Sequence, residues 1–72
     1  MNKEINDFIV FCIEFYKNKQ NLSGKDVYEL FSKYGVINYL ENGYEVLHTQ
    51  GKDWLMEDID KYLENRGYGI NN

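Results

Sequence analysis

The stretch from Ile5 to Tyr16 limits what this chain can fold into more than any other. Ile5, Phe8, Ile9, Cys12, Ile13 and Tyr16 recur at steps of three and four residues, the period of one helix face. Phe11 and Phe15 widen that stripe on one side and Val10 on the other. At ~100° per residue the apolar arc spans roughly 260°, where a surface helix needs only about 100°. A helix this apolar must be enclosed by its own fold or covered by another chain. Either it is the central helix of a bundle, or Val10, Phe11 and Phe15 form an exposed patch of the kind that marks a protein interface.

Size bears on that choice. The chain has 72 residues, enough for a single domain over 1–72, with an expected ordered core over 3–66 and a fraying tail over 67–72. A domain of this length buries only about 60% of the surface its unfolded chain exposes. Three short neighbours therefore leave part of a wide apolar perimeter uncovered. A single Cys (Cys12) and a single His (His48) exclude an internal disulfide and a Cys/His zinc site. Stabilisation by oligomerisation or by a partner protein is the route left to a small domain. With 43% hydrophobic and 17% aromatic residues, the chain is too apolar to be a disordered tail.

Charge narrows the class of partner. Twelve acidic and eight basic residues give a net charge of −4. Residues 1–36 are balanced, with five of each sign; residues 37–72 carry seven acids against Lys52, Lys61 and Arg66, so the whole excess lies there. Phosphate contacts need clustered Lys and Arg, which argues against nucleic acid. The longest uninterrupted apolar run, Phe8–Ile13, falls far short of the ~20 residues of a membrane span. Glu4 and Asp7 do not suit a basic leader. A reducing cytoplasm suits the lone thiol.

The expected fold is all-α, a compact bundle of four short helices, or five if the third breaks. Asn18–Asn21 ends the first helix, since Asn competes for backbone hydrogen bonds. Ser23, three residues before Asp26, is the N-cap of the second, whose buried stripe is Val27, Leu30, Phe31 and Tyr34; Gly35 follows as its C′ residue. Val36, Ile37, Leu40, Tyr44 and Leu47 continue at helical spacing, with a break invited at Asn42-Gly43. Asp53 is positioned to cap the last helix, which buries Leu55, Met56, Ile59, Tyr62 and Leu63 and is closed by Gly67 and Gly69.

Several residues invite a chemical role. Asp53, Glu57, Asp60 and Glu64 share one side of the last helix, away from its apolar side: a solvated face, or a docking face for a basic partner. They lack the loop pattern of oxygen ligands that a metal site needs. Leu22–Tyr44 has the outline of a helix-turn-helix, yet the would-be recognition segment Ile37–Glu45 offers Asn38 and Asn42 beside Glu41 and Glu45, with no basic residue. In the run Leu47-His48-Thr49-Gln50-Gly51, His48 either acts as a base together with Thr49 and Glu57 or Asp58, or ends a helix by capping carbonyls. Cys12, on the core face, reads as an inert buried thiol. Most of Tyr16, Tyr28, Tyr34, Tyr39, Tyr44, Tyr62 and Tyr68 read as amphipathic core edges rather than a ligand box. No catalytic residues, metal or cofactor are expected.

Five blocks occur in order from Phe8 to Leu63: Phe11-Cys12-Ile13-Glu14, Leu22-Ser23-Gly24-Lys25-Asp26-Val27-Tyr28, Tyr34-Gly35-Val36, Leu47-His48-Thr49-Gln50-Gly51 and Glu57-Asp58-Ile59-Asp60. In these the chain resembles the small bacterial family catalogued as domain of unknown function 3791. That resemblance supplies no catalytic residues. It implies a gene neighbourhood, beside a larger protein that resembles ADP-ribosyltransferase toxins, in a toxin–antitoxin-like arrangement. The expected function is thus a non-enzymatic protein-interaction module, antitoxin-like or accessory, binding that larger partner. The alternative is a structural domain that pairs with itself as a homodimer.

Overall fold

In the computed structural model, which describes residues 2–69, the chain folds into five helices: α1 (Lys3–Gln20), α2 (Gly24–Lys33), α3 (Val36–Asn42), α4 (Tyr44–Leu47) and α5 (Lys52–Asn65). No strand occurs among the described residues. The all-α expectation holds, and the third expected helix does break, at Gly43, giving α3 and α4. Helices α2, α3 and α5 all pack against α1, while α3 also meets α2, α4 and α5. The radius of gyration, 11.3 Å, matches the ~11 Å of a single globule of this length. No described helix is long and apolar enough to cross a membrane.

Local chemistry sets the ends of these helices. The Asn2 side chain accepts the Ile5 N–H at 2.8 Å, and Ser23 accepts the Asp26 N–H at 3.0 Å, so both N-termini have their side-chain caps. Asn18 stays helical; Asn21 stops α1 by turning left-handed, with φ 56°. Gly35 does the same after α2, with φ 79°. The expected Asp53 cap is corrected: Gly51 occupies that position and makes no side-chain bond, and Asp53 lies inside the first turn, facing the positive end of the helix dipole. Gly43 is held to a bare Cα for another reason. A Cβ there would lie 2.8 Å from Cδ1 of Leu47, one turn further along, and 3.1 Å from the Tyr39 carbonyl oxygen.

The core is one cluster. Phe8, Ile9, Cys12 and Tyr16 of α1 meet Val27, Phe31, Val36, Leu40, Leu47, Leu55, Met56, Ile59 and Leu63. Tyr16 and Phe31 pack rings at 5.3 Å, and Phe8 meets the edge of Tyr44 at 5.5 Å. Most tyrosines line the rim: Tyr39 stacks on Tyr62 at 4.2 Å and Tyr34 meets Tyr68 at a tilt at 5.4 Å, whereas Tyr16 is wholly buried rather than at an edge and Tyr28 stands out in solvent. Residues 67 and 68, expected in the tail, are tied back to α5. Gly67, at φ 97°, donates to the Glu64 carbonyl and Tyr68 to the Leu63 carbonyl, both at 3.0 Å; the expectation for residues 70–72 lies outside the described residues.

Three groups in and around this core hold their protons tightly. Burial pushes the Cys12 thiol up to about 12. Burial, aided by the hydrogen bond to Asp58, pushes the Tyr39 hydroxyl up to about 12. Burial, and then Asp60, raises Tyr16 as well. Each group is neutral when protonated, and the unfolded chain releases its proton first. Stability is therefore complete below the ordinary thiol and phenol range and is lost as pH climbs towards 12. The urea midpoint is expected to fall between pH 8 and pH 11; an unchanged midpoint contradicts this account.

Candidate functional site

The wide stripe of α1 is divided between core and surface. Phe8, Ile9, Cys12 and Tyr16 are sealed in the core, and Ile5, Ile13 and Phe15 are partly covered. Val10 stays 50% exposed and Phe11 45%. The helix period puts Asp7 and Glu14 above and below that pair, and each acid is already held by a lysine of the same helix, Lys3 at 2.9 Å and Lys17 at 3.1 Å. Phe11 and Phe15 meet edge to face, with ring centroids 4.1 Å apart. Val10 points about a quarter turn away and takes no part in that contact.

Phe15 is where α1 and α5 make a site together. It lines a shallow cleft of about 710 Å³ with Asn18 and Lys19 from α1 and Lys52, Asp53, Met56 and Glu57 from α5. Met56 is buried, so Phe15 and Met56 supply the apolar floor. The Lys52 ammonium lies 4.9 Å from the centre of the Phe15 ring, a cation resting on an aromatic face. One residue of the expected patch, Phe15, and two of the expected acidic face, Asp53 and Glu57, thus converge in one place.

The acidic face itself is corrected. Asp60 is not free: one carboxylate oxygen accepts the Tyr16 hydroxyl at 2.8 Å and the other pairs with Lys19. Counting at 100° per residue from Leu55, Ile59 and Leu63, Asp60 falls on the flank of the apolar stripe, on the side α1 covers. Asp53 and Glu57 lie at the cleft rim, and Glu64 is exposed further along α5, outside the cleft. Asp58, on the opposite flank, accepts the Tyr39 hydroxyl at 2.6 Å.

The run from Leu47 to Gly51 is a connector. Leu47 is buried. The His48 ring lies flat on Tyr44 at 4.3 Å, and its Nδ1 is 2.6 Å from the Tyr44 carbonyl oxygen, so Nδ1 carries the proton and donates. Thr49 Oγ1 donates to the Val46 carbonyl at 2.7 Å, Gln50 N to the Leu47 carbonyl at 3.1 Å, and the Gly51 carbonyl accepts the first bond of α5 from Leu55. These groups close α4 and start α5. The cleft that holds Glu57 is not lined by His48 or Thr49, and Asp58 turns to Tyr39 instead. Among the described residues no group of three or more His, Cys, Asp or Glu is placed to hold a metal.

Sequence patterns left one residue unmarked. Trp54 is 46% exposed and shares a notch on α5 with Glu57, Asp58 and Lys61. Its signal was its angle: it stands on the side of the helix turned away from Leu55 and Ile59, where an indole has no core to join.

The division among the acids can be measured. Asp60→Ala leaves the buried Tyr16 hydroxyl without its acceptor and is expected to cost about 1–3 kcal/mol of unfolding free energy. Asp53→Ala and Glu57→Ala should stay within about 0.5 kcal/mol of the parent chain. Urea denaturation of the three variants checks both, and equal costs contradict the assignment.

Comparison with curated proteins gives no match, and neither does comparison with solved structures. A family model does match, over residues 7–66, described as protein of unknown function (DUF3791). That span takes in Phe11, Phe15, the whole α4–α5 connector and all of α5. The chain belongs to the DUF3791 family.

Proposed function

We propose that this chain is a small helical protein-interaction module with no enzymatic activity of its own, an antitoxin-like or accessory subunit that docks a larger partner through the outer face of α1 and the α1/α5 cleft. The observation that carries this is the Phe11–Phe15 pair: one ring 45% exposed, the other only partly covered at the mouth of the cleft. Burying a Phe side chain completely is worth about 1.5–3 kcal/mol, and that stabilisation is left for a partner to supply. The neighbourhood implied by the family resemblance gives the first protein to test, the larger product resembling ADP-ribosyltransferase toxins. Nucleic acid is no part of this proposal, because α3, in the recognition position, carries no basic side chain. The buried, unpaired Cys12 suits a reducing cytoplasm.

A homodimer is the second reading. Val10 and Phe11 are both exposed on one helix, so two copies of α1 related by a twofold axis would cover each other's pair.

Co-expression with the neighbouring product followed by size exclusion tests the first reading. Co-elution at micromolar concentration is expected, and Phe11→Glu is expected to abolish it while circular dichroism stays unchanged, since the Phe11 side chain is half in solvent. Separate elution of the parent chain and the partner overturns the proposal. Light scattering on the chain alone decides the second reading.

A further inference from the structure

We propose that the segment this surface receives is a basic amphipathic helix, and that Trp54 is a second anchor for it beside Phe11 and Phe15. This rests on the interaction-module reading above and specifies the partner's chemistry. Asp58 and Asp60 are consumed by the fold, through Tyr39 and through Tyr16 with Lys19. Asp53 and Glu57, by contrast, make no side-chain hydrogen bond or ion pair among the described residues. They stand one helical turn apart, about 6 Å along the axis, between two apolar surfaces: the Phe15–Met56 floor on one side and the Trp54 indole on the other.

That order of groups is the pattern of a docking surface for a helix. Large aromatic anchors carry most of the energy of such interfaces, and Trp leads them. A helix laid along the groove between α1 and α5 sets an apolar side chain on Phe15 and, with Lys or Arg at a four-residue spacing, reaches both carboxylates. Three cations stand nearby. Lys19 is neutralised by Asp60, Lys52 rests on the Phe15 ring, and Lys61 marks the far side of the Trp54 notch. The wider field is acidic, since residues 37–72 hold seven acids against three bases. The same excess disfavours a second copy of this chain on the surface, where like would face like.

The test uses the full chain and a fluorescein-labelled 18-residue peptide of Leu and Lys in amphipathic helical register, with a Leu/Glu peptide as its counterpart. Trp54 is the chain's only tryptophan, so its emission reports on this site alone. The Leu/Lys peptide is expected to bind saturably by anisotropy, to shift Trp54 emission to the blue, and to weaken as salt is added. D53K/E57K should lower its affinity at least tenfold, and the gentler D53N/E57Q should lower it less, which guards against misfolding of the first variant. E29K/E45K, with the same change in net charge placed elsewhere, should alter it less than twofold.

Equal binding of the Leu/Glu peptide, an unmoved Trp54 emission, or an equal loss in E29K/E45K overturns the inference. So does a blue shift that depends on protein concentration without peptide, which would show that a second copy covers Trp54. With the neighbouring product, loss of co-elution in F11E but not in D53K/E57K or W54A sinks this inference and leaves the interaction-module reading intact.

Discussion

Tyr16 can lie wholly inside this protein because Asp60 accepts the hydrogen bond its hydroxyl donates. An uncapped phenol in an apolar interior costs about 1–3 kcal/mol, a large share of the roughly 5–15 kcal/mol that holds a domain folded. The bond joins residues 44 apart in sequence and fixes α5 against α1 at one height. Lys19 sits on the second oxygen of the same carboxylate, so the two helices are tied at α1's C-terminal end. Once that register is set, Phe15 has to meet Lys52, Asp53 and Met56, and the cleft follows from it. The site is thus a product of core packing, not of a loop attached to it.

Periodicity revealed the helices because each buries one stripe. Val27, Leu30 and Phe31 were legible for this reason, and so were Leu55, Ile59 and Leu63. Ser23, Gly35 and the break at Gly43 were legible from capping and turn chemistry. What a period does not carry is the identity of the neighbour lying against each flank. Asp60 looked solvated because a one-dimensional pattern cannot tell an acid facing water from one facing a tyrosine on another helix. Tyr68 looked frayed because its ring contact with Tyr34 crosses from one helix end to another. Trp54 went unmarked since it breaks no pattern: an outward-facing position accepts any residue, and only the fold shows what stands beside it.

The wide stripe of α1 illustrates how packing divides an apolar helix. Three helices cover about as much of its girth as three short rods can, and Ile13 and Phe15 end up half covered along the seams. The two positions past those seams, Val10 and Phe11, stay in water. His48, which invited a catalytic reading, has its Nδ1 proton committed to the Tyr44 carbonyl and its ring laid on Tyr44, so its geometry belongs to the end of α4.

The closing turn after α5 has a practical consequence for anyone handling this protein. Gly67 and Tyr68 tie off the last carbonyls of α5, and the Tyr68 ring roofs Tyr34 at the end of α2. A recombinant version trimmed at Arg66 would open both at once, unwinding a terminus and wetting a neighbouring helix. Purification handles and fluorescent fusions on that side therefore belong beyond Gly69.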